Sequence, residues 1–469
     1  MSKREPTFNS LRRKIAGVVI LAACFALYAA ASYAPELVER RYSQGAYPAI
    51  VQKWSALTSS VRFSIAEFAV YAIALCALAR IAKAVARAAR AKGLAGKLRQ
   101  LLDALLDGLL LAGALTLAFI VMWGMNYNRL PFAEAAGIDA RPAPASALGD
   151  VCAYMAGRAN ELREAAREGD GGAMELNMSR PATFDRARDG FLALAPDFPT
   201  LGMVAPGQPK PVLSSVLMSY AGITGVYFPM TAEANVNTGI ADAELPFTVC
   251  HELAHQLGYA REDEANFIAW LACDYSPYAD YQYSGSLMAL IHLLNRLREA
   301  DPAAWAAARG LCSEAVNRDL ESLGQFWQRY EGPVREISGK VNDTFLKANQ
   351  QQDGVKSYGR MADLLIAYVR AQQSGQAARE LASERAGDER EGDGQADEWA
   401  GDGQAADSQA SELAVGQAGD GQAKEQADEW EGDGQADGQT ADEQANGQAG
   451  DGQADEQASE WSGDGQAGE

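Results

Sequence analysis

The chain has few of the side chains that bind transition metals, and their positions limit what it can be. Only three histidines occur in 469 residues, and two of them, His251 and His255, stand four positions apart. No two of the six cysteines have the C-x-x-C spacing of structural zinc sites, which excludes a zinc-ribbon protein. The foldable part of the chain also lacks basic patches interleaved with aromatic residues, so we expect no nucleic-acid partner.

Positive charge is almost absent from the C-terminal part. From Leu381 onward there are 25 acidic and 3 basic residues, so this segment accounts for the net charge of -21 and the rest of the chain is near neutral. The repeat GDGQA recurs there between Trp399, Trp430 and Trp461. Branched apolar residues are scarce, so folding could not bury enough surface to offset the ordering entropy. We expect residues 376–469 to be a disordered, acidic, low-complexity tail.

Three runs carry so few charges that each could cross a bilayer as a helix. They are Ile15–Ala34, Phe63–Leu78 and Gly108–Met125. Glu67 interrupts the second run, which is also compatible with a buried amphipathic helix. Trp123 and Tyr127 close the third run and suit a membrane interface. The sequence therefore predicts a cytoplasmic N-terminus over residues 1–14 and a three-helix transmembrane region over residues 15–125.

The charges between these runs indicate an orientation. Residues 80–99 contain seven basic side chains and no acidic one, and residues 3–14 contain five basic ones. Basic connections remain in the cytoplasm according to the positive-inside rule. We therefore expect a multi-pass protein of the cell membrane, with the lipid bilayer as a partner. Everything after Tyr127, including the tail, is expected outside the cytoplasmic membrane. The four cysteines outside the membrane segments could pair in an oxidising environment, but buried free thiols are the expected state.

Residues 126–375 are predicted to form a mostly helical domain. Apolar residues recur at helical spacing in four stretches, 146–168, 183–194, 286–299 and 303–330. The segment GVYFPMTAEANVN at 225–237 instead has the composition of a strand, which Pro229 would confine to the edge of a sheet. An irregular hairpin is an equally good interpretation. Because an edge strand can pair with an extended peptide, Asn235 and Asn237 are candidates for binding the substrate backbone.

The sequence HELAH at 251–255 is the strongest motif. Residues four apart share one face of a helix, so His251 and His255 can ligate one zinc ion. Glu252 is the predicted general base, which takes a proton from zinc-bound water. Two structural histidines are the alternative, although the uncharged neighbours favour a buried active-site helix. His292 lies in a leucine-rich stretch and is more typical of a core or capping residue.

A catalytic zinc ion needs a third protein ligand, and with no other histidine nearby a carboxylate is expected. Gly258 is a typical end for the first helix, and a second helix opens three residues later. The tight turn predicts antiparallel helices, which brings Glu262 close to His255. Glu264 is the competing ligand, but it points to nearly the opposite side. Asn266 shares the face of Glu262 and could orient a ligand histidine, so Glu262 is preferred.

These residues resemble a known arrangement. HELAH followed by EDEAN at 262–266 is similar to the HExxH and ExxA(N/D) motifs of glutamate-liganded zinc peptidases, including the membrane CAAX prenyl proteases and the regulator-cleaving proteases of phage and stress-response systems. In those families the glutamate of the second motif is the third ligand, which matches Glu262. Here a few residues, rather than a long insert, join the two helices.

A closer resemblance is to a bacterial membrane family known as domain of unknown function 3810. It rests on MWGMNYNRLP, GVYFPMTAEANVN, LPFTVCHELAHQLGYAREDEANFIAWLAC and YQYSGSLMAL, and it covers most of residues 10–370. The resemblance implies a gluzincin-like zinc metallopeptidase.

The predicted fold class is mainly α. It comprises N-terminal transmembrane helices, a mostly helical zincin-like domain with a small edge-strand element, and the disordered tail. The predicted function is hydrolysis of peptide bonds in a peptide or protein substrate by a membrane-anchored zinc enzyme. Tyr283, with Tyr281 beside it, is the candidate donor to the oxyanion. The alternative is a non-catalytic envelope protein with a structural or vestigial zinc site that acts through its tail. The intact Glu252 disfavours that alternative, since a structural site has no use for a base.

Overall fold

The described part of the chain is mainly helical, as predicted. The computed structural model describes residues 6–141, 144–349, 351 and 360–372. The predicted tail, residues 376–469, lies outside these ranges.

The N-terminal region contains the helices that could cross a membrane. Its elements are α1 (Pro6–Ala31), α2 (Pro35–Val38), a π-helical segment (Glu39–Ala46), α3 (Tyr47–Thr58), α4 (Ile65–Arg90) and α5 (Gly93–Met122). Helices α4 and α5 are each long and apolar enough to span a bilayer. A third span results only if Ile15–Ala31 and Pro35–Thr58, which are bent by 107° at their junction, count as one.

The position of Glu67 in the sequence suggested that it interrupts a membrane span, but it does not. The Ser64 hydroxyl accepts the backbone N–H of Glu67 at 2.9 Å, so α4 begins here with a capped first turn. The Glu67 carboxylate accepts the backbone N–H groups of Leu213 at 2.9 Å and Ser214 at 2.8 Å. Helix α4 therefore starts against the folded domain and runs away from it.

Trp123 and Tyr127 are not membrane-interface anchors, which corrects the prediction. Both side chains are buried in the domain core. The Trp123 indole N–H donates to the carbonyl of His255 at 3.1 Å. Helix α5 therefore enters the domain directly, with no spacer between them.

The remaining helices form the domain that follows. They are α6 (Phe132–Ala135), α7 (Ala145–Ala165), α8 (Arg180–Leu194), α9 (Ser215–Tyr220), α10 (Leu245–Gln256), α11 (Glu262–Asp274), α12 (Ala279–Ala300), α13 (Pro302–Arg309), α14 (Glu314–Gln328) and α15 (Pro333–Ala348), with a further helix over 361–372. Short 3-10 turns lie at Gly124–Asn128 and Pro199–Leu201. The single helix predicted over 303–330 is two helices, because Ser313 caps a new one: its hydroxyl accepts the N–H of Val316 at 3.3 Å.

A three-stranded sheet replaces the single predicted strand, and the alternative interpretation of residues 225–237 as a hairpin is confirmed. Its strands are β1 (Lys210–Val212), β2 (Gly225–Phe228) and β3 (Glu233–Asn237), in the order β1-β3-β2. Strand β1 is parallel to β3, and β2 pairs with β3 as an antiparallel hairpin. Pro229 lies in the hairpin turn, where its missing N–H removes no ladder hydrogen bond. Strand β2 is therefore at an edge of the sheet, whereas β3 is central and buried.

Helix α10 packs between this hairpin and the helices α11 and α12. Its apolar residues, among them Val249, Leu253 and Ala254, are fully buried. All six cysteines are free thiols, and Cys76 alone among them is exposed.

Candidate metal centre

Three side chains with metal-binding atoms meet where α10 ends and α11 begins. The Nε2 atoms of His251 and His255 lie 3.3 Å and 3.6 Å from one carboxylate oxygen of Glu262. One ligand atom from each residue lies within 4.8 Å of the other two. Helix α10 presents the two histidines from consecutive turns, and Glu262 is the first residue of α11. The structure thus brings together the three predicted metal ligands.

The turn between these helices requires glycine at position 258. Gly258 has φ of 92°, a conformation that other residues rarely adopt. A Cβ atom there would also lie 2.8 Å from Cε1 of Tyr47. The predicted end of the first helix near Gly258 is confirmed, and this turn places α11 back against α10.

The contacts of His255 indicate that a positive charge belongs between its Nε2 atom and the Glu262 carboxylate. Nδ1 of His255 lies 2.7 Å from the carbonyl of Tyr259, which can only accept, so Nδ1 carries a proton. Nε2 then faces the Glu262 carboxylate with a lone pair unless a second proton or a cation lies between them. Burial opposes protonation of His255, but the charge of Glu262 outweighs it and raises the pKa of His255 to about 9. Two imidazole nitrogens and a carboxylate oxygen also form a donor set that suits zinc.

His251 and Asn266 complete one side of this cluster. Burial lowers the pKa of His251, which favours the neutral imidazole that metals bind. Asn266 is buried one turn after Glu262 and its side chain lies beside His251, where it partly opposes this shift. Among the described residues, neither Nδ1 of His251 nor Nδ2 of Asn266 has a hydrogen-bond partner. Asn266 therefore lies beside His251, and its role in orienting that histidine stays a prediction.

Glu264 lies elsewhere. Its carboxylate accepts the backbone N–H of Phe132 at 2.8 Å and pairs with Arg261 at 2.9 Å. These contacts connect α11 to the segment that follows α5. The geometry thus places Glu262, and not Glu264, beside the histidines.

Glu252 is buried between α10 and the edge strand β2. A Cβ atom at Gly225 would lie 2.5 Å from Oε1 of Glu252, so glycine there leaves room for the carboxylate. Burial raises the pKa of Glu252 to about 8, although the backbone N–H of Tyr227 opposes the shift. Oε2 of Glu252 has no hydrogen-bond partner within the described ranges. A buried carboxylate with a raised pKa and an unused oxygen suits proton transfer.

A cavity of about 830 Å³ is lined by the three cluster residues and Glu252. Val226 and Phe228 of β2, Phe247 of α10 and side chains from α4, α5 and α15 form further parts of the wall. This volume lies within the range of sites that hold drug-sized ligands or short peptide segments.

The predicted oxyanion donors do not reach this cavity. Tyr283 is fully buried within α12, and its hydroxyl donates to Asp319. The hydroxyl of Tyr281 donates to the carbonyl of Thr183. The prediction for Tyr283 is therefore corrected: the YQYSG segment is helical, and both tyrosines point into the core.

The predicted substrate-binding asparagines also have structural roles. Oδ1 of Asn235 accepts the Ser64 hydroxyl at 2.6 Å, which joins the central strand to the start of α4. Nδ2 of Asn237 donates to the Ser219 hydroxyl at 2.9 Å and to the carbonyl of Ile223 at 3.0 Å. These contacts occupy both amides, so Asn235 and Asn237 are not free to bind a substrate.

Two residues at the cavity were not recognised from the sequence. His292 is half-buried and lines the cavity, and burial lowers its pKa to about 4, so the imidazole is neutral. The Trp123 ring packs edge-on against His255, with 5.9 Å between the ring centroids. The leucine-rich surroundings of His292 gave no signal of this position.

Within its described residues the chain is mainly helical, with two helices long enough to span a membrane and a partly buried His–His–Glu cluster, and these features define its class. The chain belongs to the family described as protein of unknown function (DUF3810), which matches residues 42–366. No curated protein and no solved structure matches the chain.

Proposed function

We propose that this protein is a membrane-anchored, zinc-dependent peptidase with a zincin-like active site. The observation that carries the proposal is the convergence of His251, His255 and Glu262 beside the separate, buried carboxylate of Glu252. A purely structural metal site would have no use for a second carboxylate that does not bind the metal. A bound zinc ion would supply Lewis acidity to a scissile carbonyl and increase the acidity of a nearby water.

Glu252 is the residue that would move the proton. It takes a proton from the attacking water as the new carbon–oxygen bond forms at the substrate carbonyl. It then returns that proton to the amine nitrogen as the carbon–nitrogen bond breaks, so the carboxylate is regenerated. Edge strand β2, which lies against Glu252, offers backbone groups that could pair with an extended peptide. His292 replaces Tyr283 as our candidate donor to the oxyanion, because it lines the cavity and its neutral ring can donate an N–H.

Metal binding tests the first part of this proposal. The purified full-length protein is expected to hold one zinc ion per chain, and His251→Ala or His255→Ala is expected to abolish binding. Elemental analysis after dialysis measures the stoichiometry. His292→Ala is the matched control, since it removes an imidazole from the same cavity but not from the cluster. Full occupancy in either ligand variant, or equal loss in the control, contradicts the assignment.

We also propose that the domain lies outside the cytoplasmic membrane. The first turn of α4 and the end of α5 both contact the domain, so the basic segment between these helices lies at their far ends. Basic segments remain in the cytoplasm. An impermeant protease added to intact cells is therefore expected to remove the tail after residue 376, while an epitope inserted after Lys92 survives. Loss of the epitope with retention of the tail would show the opposite orientation.

A further inference from the structure

The cavity reaches from the candidate metal centre to the membrane-length helices. Val70 and Tyr71 of α4 and Phe119 of α5 line it, together with His251 and Glu252. Part of its wall is therefore built by the ends of helices that are long and apolar enough to span a bilayer. A site meant only for soluble peptides has no need of such a wall.

The length of α5 shows how far lipid would extend. Arg80 and Asp107 form an ion pair of 3.9 Å between α4 and α5, which marks the polar edge of the spans remote from the domain. Trp123 follows Asp107 by 16 positions, or about 24 Å of helix. Because the hydrocarbon layer of a bilayer is about 30 Å thick, it would extend about 6 Å beyond the end of α5. The surface of the domain that surrounds the helix ends would then lie in the bilayer.

Exposed apolar side chains occur on this surface at the start of α4. Leu213, Val216 and Leu217, here called the α9 rim, are each at least 58% exposed. The two hydrogen bonds from the backbone of residues 213 and 214 to Glu67 hold the rim at the first turn of α4. Ile223 and Val226, which line the cavity, are also partly exposed, so apolar surface continues from the rim into the cavity.

A second apolar surface lies at the end of α5. Val334, Ile337 and Val341, here called the α15 rim, recur at helical spacing on α15 and are each at least 56% exposed. Phe345, one turn further along, packs against Phe119 of α5 with 6.3 Å between the ring centroids. Val341 and Phe345 also line the cavity. Apolar surface thus flanks the cavity on two sides, and each side is joined to the end of a different span.

We propose that the two rims lie in the bilayer surface and that the substrate is a polypeptide anchored in the same membrane, cleaved close to the point where it leaves the lipid. This inference rests on the proposed peptidase function for the cleavage, but not for the membrane contact of the rims. Contiguous exposed apolar patches mark sites of membrane or protein contact, and continuity with the spans identifies the bilayer as the partner here. A polypeptide that emerges beside α4 or α5 would enter the cavity within a few residues of its membrane anchor.

The first experiment measures where along an anchored chain the protein cleaves. Full-length protein is reconstituted in vesicles of phosphatidylethanolamine and phosphatidylglycerol with a quenched-fluorescence peptide library fused to an apolar 20-residue helix. In one probe the library adjoins the helix, and in the other a flexible spacer of ~40 residues, with a root-mean-square length of about 35 Å, separates them. Both probes have the same anchor and the same surface density, so a difference between their cleavage rates cannot result from enrichment at the membrane. We expect the adjoining library to be cleaved at least about tenfold faster, because only it lies within reach of the cavity.

The rims are tested with a double variant and a matched control. Leu217→Ser with Ile337→Ser changes one residue of each rim, and neither lines the cavity. This variant is expected to lose most of the preference for the adjoining library. Leu192→Ser with Leu311→Ser removes leucines of comparable exposure elsewhere and is expected to retain it. Equal cleavage of both probes by the unmodified protein, or an unchanged preference in the rim variant, overturns the proposed substrate.

The second experiment needs no catalytic activity. An environment-sensitive fluorophore is attached at Leu217→Cys, Ile337→Cys or Leu192→Cys in a Cys76→Ala background, since the other five cysteines are buried. Lipids with a spin label near the head group are expected to quench both rim positions but not position 192. Quenching without cleavage of any probe would refute the peptidase function alone and leave the membrane contact standing. Rim positions that no lipid quenches, or that become buried as protein concentration rises, would indicate a protein partner such as a second copy of the chain and overturn the proposal.

Discussion

Replacing Glu252 by glutamine is expected to reduce peptide cleavage by about a hundred- to ten-thousand-fold, which is the usual contribution of a general base. Glutamine keeps the size of the side chain but cannot take a proton from water. Zinc stoichiometry is expected to be unchanged, because Glu252 is outside the cluster of His251, His255 and Glu262. The measurement is kcat/KM for a library peptide, together with elemental analysis of the same preparation.

The stability of this variant gives a second readout. Glu252 is buried, its Oε2 has no partner within the described ranges, and burial raises its pKa to about 8. Folding therefore disfavours the ionised form that the unfolded chain adopts at neutral pH, which lowers the stability. The melting temperature of Glu252→Gln is therefore expected to stay the same or rise, and a loss of activity could not be attributed to unfolding. Glu244→Gln is a matched control. This buried carboxylate lines the same cavity but accepts the indole N–H of Trp327 at 3.2 Å, which a glutamine oxygen can also do. Unchanged cleavage in Glu252→Gln would refute the peptidase proposal and favour a non-catalytic role.

The ligand cluster was the part of the site most accessible to sequence reasoning. The spacing of the histidines, the turn at Gly258 and the face shared by Glu262 and Asn266 are all encoded within about 16 consecutive residues. Helix periodicity and turn chemistry are local properties, so these residues fix their own relative positions. The choice of Glu262 over Glu264 used the rule that residues two apart on a helix point to different sides, together with the position of Asn266 on the face of Glu262.

The remaining cavity wall depends on contacts between distant segments, which local rules do not describe. Tyr283 was assigned to the site because it follows the motif closely, but α12 turns it towards Asp319. Trp123 was interpreted as a membrane-interface residue because it closes an apolar run. The sequence did not reveal its contact with His255, which lies 132 positions away. Glu67 looked like an interruption of a span because the sequence did not reveal its partners at residues 213 and 214. In each case the residue type was informative, but its partner lay far away in the chain.

The two glutamates of α11 give the last prediction, because their substitution should separate metal binding from folding. Glu262→Gln replaces the anionic oxygen that lies within 3.6 Å of both imidazoles with a neutral amide. Zinc affinity is expected to fall by more than the about 10- to 100-fold that loss of an outer-shell partner costs. Glu264→Gln is expected to leave zinc affinity within a few-fold and to lower the free energy of unfolding by about 1–3 kcal/mol. It weakens a buried, charge-assisted contact with Phe132 and Arg261.

Competition with a chromophoric zinc chelator measures the affinity, and urea denaturation of the metal-free protein measures the stability. The two variants are each other's control, since both place the same amide in the first turn of the same helix. Glu262→Gln is expected to have the lower zinc affinity and Glu264→Gln the lower stability, because Glu264 contacts groups that do not touch the cluster. If Glu264→Gln loses zinc while Glu262→Gln retains it, the ligand assignment is reversed. If both variants lose zinc equally at unchanged stability, metal binding does not depend on Glu262 alone. Retained zinc affinity in both variants would show that neither glutamate is the third ligand.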